Sequence, residues 1–287
     1  MNEEGKRILV AGATGYLGGF VAREFKNRGY YVRALARSPK KLDPFRDLLD
    51  EVVQAEITQP DTLQGVCDGI DVVFSSVGIT KQKDNLTFRD VDYQGNRNLL
   101  QAARIAGVRK FIYTSVFRGP SLLHLDIVKA HEDFVTVLKA SGVEYTVVRP
   151  NGFFSDMGEY LKMAAKGRVY LVGKGENRIN PIHGADLAEI CVEAADRDVA
   201  EINVGGPQVF THREIARLAL RSARRRERIT PIPTWMMRSL VTLTRLFNRH
   251  QGELLAFFTE AMTADAVAPA AGSRTLADYF HELAVAG

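Results

Sequence analysis

Short apolar runs recur through the first half of the chain, and longer amphipathic stretches separate them. The apolar runs are Arg7–Ala11, Tyr31–Arg37, Val52–Ile57, Ile70–Ser76, Lys110–Thr114 and Tyr145–Val148. Each predicts a strand covered on both faces. Between them, helical periodicity covers Tyr16–Arg28, a stretch near Lys40–Leu49, another near Asp61–Cys67, then Leu86–Ala106 and Leu122–Ala140. In the longest of these, Leu99, Leu100, Ala102, Ala103 and Ala106 make a face suited to lie on a sheet. Gly107 and Gly142 follow two of the helices, where a left-handed residue closes the last turn. Apolar strands alternating with helices predict an α/β fold, a doubly wound parallel sheet of the Rossmann-like kind with right-handed crossovers.

The rhythm changes after Pro150. Glycines and short elements fill Asn151–Pro207, and helical patterns follow at Thr211–Ala223, Pro233–Asn248, Glu253–Met262 and Thr275–Leu283. Thr211 with Glu214 reads as a capping box that starts a helix. The expected division is a core over 1–150 that carries the sheet and a smaller, mostly helical region over 151–287. Residues 182–204 are expected to return to the core sheet. Ala264–Ser273 is expected to be a flexible loop.

The first strand runs into Gly12-Ala13-Thr14-Gly15-Tyr16-Leu17-Gly18 and then into a helix. This strand–turn–helix order brings bare backbone and a helix N-terminus close to an anion, which is what a dinucleotide pyrophosphate requires. Gly18 is placed to let the helix lie close on the sheet. The second strand ends in Arg37-Ser38-Pro39-Lys40-Lys41, with no carboxylate before Asp43. A unit selecting NAD(H) carries an acidic residue there to hold the ribose hydroxyls, whereas Arg37 and Lys41 suit a 2′-phosphate. The expected cofactor is therefore NADP(H).

Composition narrows the setting. Hydrophobic residues make up 46% and charged residues 25% of 287 residues, the balance of a water-soluble globular chain. No apolar run is long enough to span a bilayer, and the start Met1–Lys6 lacks a signal-peptide pattern. Cys67 and Cys191 are isolated, each expected in a helix as a small core residue and not in a disulfide. No His/Cys cluster has metal-ligand spacing, so no metal is expected. These features predict a cytoplasmic protein. The net charge of +4 hides an asymmetry: Arg221–Gly252 holds eight arginines and one acid, a local +7, which leaves −3 for the rest. Such a pattern suits an anionic surface and gives no overall affinity for nucleic acid.

With these motifs in place, the chain resembles the short-chain dehydrogenase/reductase superfamily, in its extended and atypical branches that include the NmrA-like proteins. The resemblance rests on the glycine turn, Arg37, Glu56-Ile57, Ser76-Val77-Gly78 and Asp92-Tyr93-Gln94-Gly95-Asn96. It extends through Lys110–Ser115, Lys129, Arg149-Pro150-Asn151-Gly152-Phe153-Phe154 and His183–Ala188. It implies that Gly12, Thr14, Gly15, Tyr16, Leu17 and Gly18 hold the pyrophosphate. Glu56 and Ile57 would border the adenine, and Ser76, Val77 and Gly78 would pass the ribose. Pro150, Asn151 and Phe153 would approach the nicotinamide, and Lys129 would bind ribose hydroxyls.

One departure changes the expected chemistry. The family's reductases use a serine and a Tyr-x-x-x-Lys pair. Here Leu125 precedes Lys129 at the tyrosine position and Val116 stands at the serine position. Neither side chain can donate a proton. Lys129 and His124 are the remaining candidate acids, with Asp126 and His131 nearby and Tyr113 and Ser115 at a strand end. Phe153, Phe154 and Met157 are either pocket walls or core. The expected activity is NADPH-dependent hydride transfer to a small, planar, apolar conjugated acceptor such as a quinone or enone. The alternative is a non-enzymatic redox sensor, or an accessory or assembly protein of a membrane complex. Over 233–258, Met236, Leu240, Leu243 and Phe247 form a stripe opposite Arg238, Arg245 and Arg249. That stripe either packs on the protein or makes peripheral contact with a membrane.

Overall fold

The computed structural model describes residues 6–79 and 86–286. In chain order the elements are β1 (Arg7–Ala11), α1 (Tyr16–Asn27), β2 (Tyr31–Ala36), β3 (Glu51–Gln54), β4 (Val72–Ser75), α2 (Asn96–Ile105), β5 (Lys110–Thr114), α3 (Asp126–Lys139) and β6 (Glu144–Pro150). There follow α4 (Phe154–Ala165), β7 (Val169–Val172), β8 (Arg178–Ile179), α5 (Gly184–Ala194), β9 (Glu201–Val204), β10 (Phe210–Thr211) and α6 (His212–Ser222). The last are β11 (Ile229–Ile232), α7 (Thr234–Phe247), α8 (Arg249–Thr263) and α9 (Leu276–Ala286). A seven-stranded sheet has the order β3-β2-β1-β4-β5-β6-β9. Its strands are parallel, as their apolar, doubly covered sequences require.

The order reverses between β1 and β4, and ligands of open α/β sheets bind outside the carboxyl ends at such a point. The register aligns those ends: Ala11 faces Ser75, Ser75 faces Tyr113, and Thr114 faces Val148. Gly12, Ser76 and Ser115 therefore leave the sheet along one edge.

The chain forms two compact units. One comprises Met1–Arg149 and Leu187–Ile202, the other Pro150–Asp186 and Asn203–Gly287.

Several predicted elements are shorter or differently wound. Pro39 and Pro44 hold Pro39–Leu48 in a 3-10 winding, with Leu42 as its buried anchor. The helix predicted near Asp61–Cys67 is a single 3-10 turn at Pro60–Leu63. Gly65, at φ +70°, ends it, so Cys67 lies in a turn and not in a helix. The strand predicted to reach Ile57 stops at Gln54. The long helix over Leu86–Ala106 begins with a π-wound segment, Arg89–Gly95, before α2. Asn96 accounts for the junction: its amide donates to the Asp92 carbonyl at 2.9 Å and to the Val77 carbonyl at 3.1 Å, and its oxygen accepts from Ser75 at 2.6 Å. Helix α3 begins at Asp126 instead of Leu122, because Pro120 sits in a short 3-10 turn, Gly119–Ser121.

The first unit has a charged centre. Arg149, on β6, is almost fully buried. Its guanidinium forms a two-pronged pair with Glu132 of α3, one prong at 2.9 Å, and reaches Ser115 Oγ, the Val116 carbonyl and Glu201. The Ser115 hydroxyl donates to Glu132 at 2.7 Å. A two-pronged arginine–carboxylate pair with its remaining groups satisfied is the form in which buried charge is tolerated.

In the second unit, α4, α6, α9 and β7 enclose a core that includes Phe154, Met157, Tyr160, Ile215, Leu220 and Phe280. Phe154 and Met157 are core residues and not pocket walls. Thr211 and Glu214 make the expected capping box. Ala264–Ser273 is not a loose loop. Its backbone bonds to Arg178, its Ala268 N–H donates to Asn180, and Ala270 bridges to Gly205. His212 is buried between the Tyr160 hydroxyl at 2.7 Å and the Ala261 carbonyl at 3.2 Å.

Two outcomes follow from these buried groups. Glu132→Gln leaves Arg149 undercompensated and should lower unfolding stability by on the order of 3 kcal/mol in urea titrations. Burial holds the His212 pKa below its ordinary 6.5. The unfolded chain therefore takes up a proton first as pH falls. Stability contributed by neutral His212 is complete above about pH 6.5 and declines below it. His212→Asn should flatten that part of a melting-temperature profile.

Candidate dinucleotide-binding site

Gly12 takes φ +91°, a conformation costly for any residue with a Cβ, and its carbonyl accepts the Gly15 N–H at 2.8 Å. A Cβ at Gly12 would stand 2.9 Å from Ser76 Oγ, so the loop after β1 and the loop after β4 touch through bare backbone. At Gly18 a Cβ would sit on the Gly12 carbonyl, the contact that lets α1 descend onto the turn. Thr14 and Gly15 are exposed, Tyr16 is half-buried, and Leu17 anchors the helix in the core. Among the described residues no side chain caps α1, and its first turn holds no acid. The N-terminal N–H groups and the positive end of the helix dipole thus face outward at the sheet's switch point, an arrangement able to take a pyrophosphate. On the same edge, the Thr114 hydroxyl is buried without a partner among the described residues.

Arg37 follows β2, is exposed, and lies 3.5 Å from the Glu56 carboxylate. Lys41 is exposed on the neighbouring 3-10 turn. Glu56 is half-buried. Ile57 is buried against Gly95, where a Cβ would come 2.6 Å from its Cδ1, so its side chain packs the core under the π-wound segment. Ser76 and Val77 are half-buried and Gly78 is exposed. Pro150 ends β6. Asn151 is buried, with its amide donating at 2.6 Å both to Asn180 and to the Ala266 carbonyl of its own unit. Phe153 is half-buried before α4.

The acid–base residues are arranged unlike those of a tyrosine-dependent reductase. Leu125 is 2% exposed and seals the base of α3. Val116 offers only a carbonyl, taken by Arg149 and Gly119. Lys129 is exposed, and its ammonium lies 2.9 Å from both oxygens of Asp133 one turn on. His124, expected within the helix over Leu122–Ala140, is exposed on the turn before α3.

Sequence reasoning missed a buried relay in this unit. The Tyr113 hydroxyl lies 2.6 Å from His131 Nδ1, and His131 Nε2 lies 3.1 Å from Asp92 Oδ1. The tautomer that satisfies both has Tyr113 donating to Nδ1 and Nε2–H donating to the carboxylate. Asp92 also accepts the Ile79 N–H at 3.2 Å. Burial pushes the Asp92 carboxyl above its ordinary range and the Tyr113 phenol well above its own. A Cβ on Gly78 would come 2.8 Å from Asp92, so the relay lies directly beneath the glycine of the β4 loop. The available signal was Asp92 at the head of a family motif and His131 two residues past Lys129.

A separate groove of about 570 Å³, lined by Lys6, Arg28, Tyr30, Val192, Glu193 and Asp196, lies at the amino ends of β1 and β2, away from the glycine turn.

A Rossmann-type sheet with a glycine turn at its switch point is the arrangement of a dinucleotide-binding protein. The chain belongs to the NAD(P)H-binding family, whose model matches residues 12–198. It is 30% identical over 274 residues to the photosystem II assembly factor Ycf39 of Synechocystis, covering 90% of this chain and 82% of that protein. It is 28% identical over 228 residues to a divinyl chlorophyllide a 8-vinyl-reductase of Cucumis sativus, covering 72% of this chain and 54% of the reductase. Among solved structures, an NADPH-dependent quinone oxidoreductase of Escherichia coli superposes with a TM-score of 0.73 at 17% identity, covering 96% of this chain and 99% of the other.

Gly18→Ala tests the cradle. The added methyl must displace α1 from the Gly12 carbonyl. Dinucleotide affinity should fall by at least about tenfold in calorimetric titration, with a stability loss of about 1–3 kcal/mol.

Proposed function

We propose that this protein binds NADPH at the glycine turn and serves as a reductase for an apolar, conjugated acceptor. In this reading Gly12, Thr14, Gly15, Tyr16, Leu17 and Gly18 hold the pyrophosphate through backbone N–H groups. Arg37 and Lys41 meet the 2′-phosphate, and Ser76, Val77 and Gly78 run beside the ribose. Bound NADPH supplies the hydride. Lys129 keeps the place that the superfamily gives to its ribose-binding lysine. Its present partner is a half-exposed carboxylate, a weak pairing that exchanges readily.

The observation that carries the reading is a complete phosphate cradle beside an apolar replacement of the acid pair. Leu125 and Val116 remove the group that would protonate a ketone oxygen as hydride arrives. An acceptor whose charge is spread over a conjugated system needs such a group least. The named activities of the 8-vinyl-reductase and the quinone oxidoreductase are of this kind and support the choice.

A second reading has the NADPH-bound chain act as an assembly factor without turnover. The alignment with the photosystem II assembly factor over nine-tenths of the chain favours it.

NADPH oxidation against a panel of quinones, enones and simple ketones separates the two. Turnover of the conjugated acceptors supports the reductase. Turnover of simple ketones alone overturns it, and tight NADPH binding without turnover favours the second reading. In the same preparations NADPH should bind more tightly than NADH. Arg37→Asp should reduce that preference by about 1–3 kcal/mol, the scale of a hydrogen bond to a charged group.

A further inference from the structure

Helix α7 presents its apolar stripe to solvent. Trp235, Met236, Leu240, Leu243, Leu246 and Phe247 are all exposed, Trp235 at 70% and Phe247 at 85%. The inner face is narrow: Val241 is buried, and Met237 and Thr244 are half-buried. This inner side packs on α8. Gly252 permits the close crossing, because a Cβ there would stand 2.8 Å from the Arg245 backbone, and Arg245 pairs with Glu253 at 2.9 Å. Arg249 belongs to α8, so the basic flank of α7 itself is Arg238 and Arg245. The stripe predicted from sequence is present, and its four side chains remain 44% to 85% exposed among the described residues. Isolated exposed apolar side chains are ordinary, but a contiguous row along one helix marks an interaction surface.

We propose that α7 is a peripheral membrane contact whose apolar face enters the interface of a bilayer rich in anionic lipid. Charge selects this occupant. Helix α7 contains no aspartate or glutamate, and Arg224, Arg225, Arg226, Arg228 and Arg238 are exposed with no carboxylate partner among the described residues. Pairing two α7 faces from two copies would bring like charges together with no acid on either helix to offset them. Lipid phosphates supply the missing negative charge to these arginines. At 14 residues the helix is about 21 Å long. Among the described residues no helix is long and apolar enough to cross a membrane. Lying in the plane of the interface is therefore the geometry available to it. Trp235, at the start of α7, is suited to the headgroup level, where one edge of the indole is wet and the other apolar.

Trp235 is the chain's single tryptophan, so its emission reports on this helix alone. The full chain is mixed with vesicles of phosphatidylcholine alone, or of equal parts phosphatidylcholine and phosphatidylglycerol, and then floated. The expected result is co-flotation and a blue shift of emission with phosphatidylglycerol vesicles at low salt, both weakened at high salt. Leu243→Ser with Phe247→Ser should lower vesicle partitioning by at least about tenfold. NADPH binding and the melting temperature of that variant should stay unchanged, which separates this result from misfolding. Three outcomes overturn the proposal. The emission and the soluble fraction stay unchanged on every vesicle, or the double variant binds as well as the parent. In the third, sedimentation without lipid reveals a dimer that the double variant abolishes, which makes a second copy the occupant.

Discussion

The buried guanidinium of Arg149 is the constraint around which the first unit is arranged. A charge removed from water must be matched within the fold, and here the match comes from three places in the sequence: Glu132 on α3, Ser115 past β5 and Glu201 at the start of β9. Satisfying one side chain therefore fixes how α3 lies against the carboxyl ends of β5 and β6. Lys129 and His131 share the helix with Glu132, so their positions at the sheet edge are set by the same pair. Gly119 belongs to this arrangement, because a Cβ there would collide with both the Glu132 carboxylate and the Arg149 guanidinium. Apolar packing alone would allow α3 to slide along the sheet. A two-pronged charge pair has one register and does not.

The same helix explains what has become of the acid-base chemistry. At the position where the superfamily's reductases place a tyrosine, Leu125 turns inward and is buried. Burying leucine there stabilises the start of α3, and that gain is incompatible with a side chain that must reach a substrate. Tyr113 does not replace the lost phenol. It is fully buried, hydrogen-bonded to His131, and held protonated by its surroundings. The Tyr113–His131–Asp92 relay thus joins β5, α3 and the π-wound segment beneath Gly78. It leaves the backbone of the β4 loop exposed at Gly78.

The features legible in the sequence were those with local causes. The glycine turn needs only a strand before it and a helix after it, and both are written in adjacent residues. The boundaries of β5 and the capping box at Thr211 were equally local. The features that were not legible depend on distant partners. Asn96 ends a π-wound segment because Val77 lies within reach, and no periodicity shows that. Asp92, His131 and Tyr113 are 39 and 18 residues from one another along the chain and meet only once the sheet has formed. The segment 264–273 reads as an alanine-rich loop punctuated by Pro269 and Gly272. Only the buried amide of Asn180, which accepts from Ala268 and donates to its carbonyl, shows why it is ordered.

Helix α7 illustrates the opposite relation between sequence and structure. Its amphipathic pattern was plain, and the usual reading of such a pattern is that the apolar side faces inward. The structure turns the helix the other way, and the reason lies in its neighbour. Arg245 bonds to Glu253, and Gly252 lets the two helices close on each other, so α8 holds the narrow side of α7. Once that contact is made, the broad apolar side is left exposed. Leaving six large side chains in water stabilises nothing in the isolated chain, and the helix is held instead by Val241, Met237, Thr244 and the Arg245–Glu253 pair. The cradle and α7 therefore represent two distinct uses of close backbone approach. At Gly18 it brings the N-terminus of α1 down onto the glycine turn, and at Gly252 it seats the narrow side of α7 on α8 and leaves the apolar side exposed.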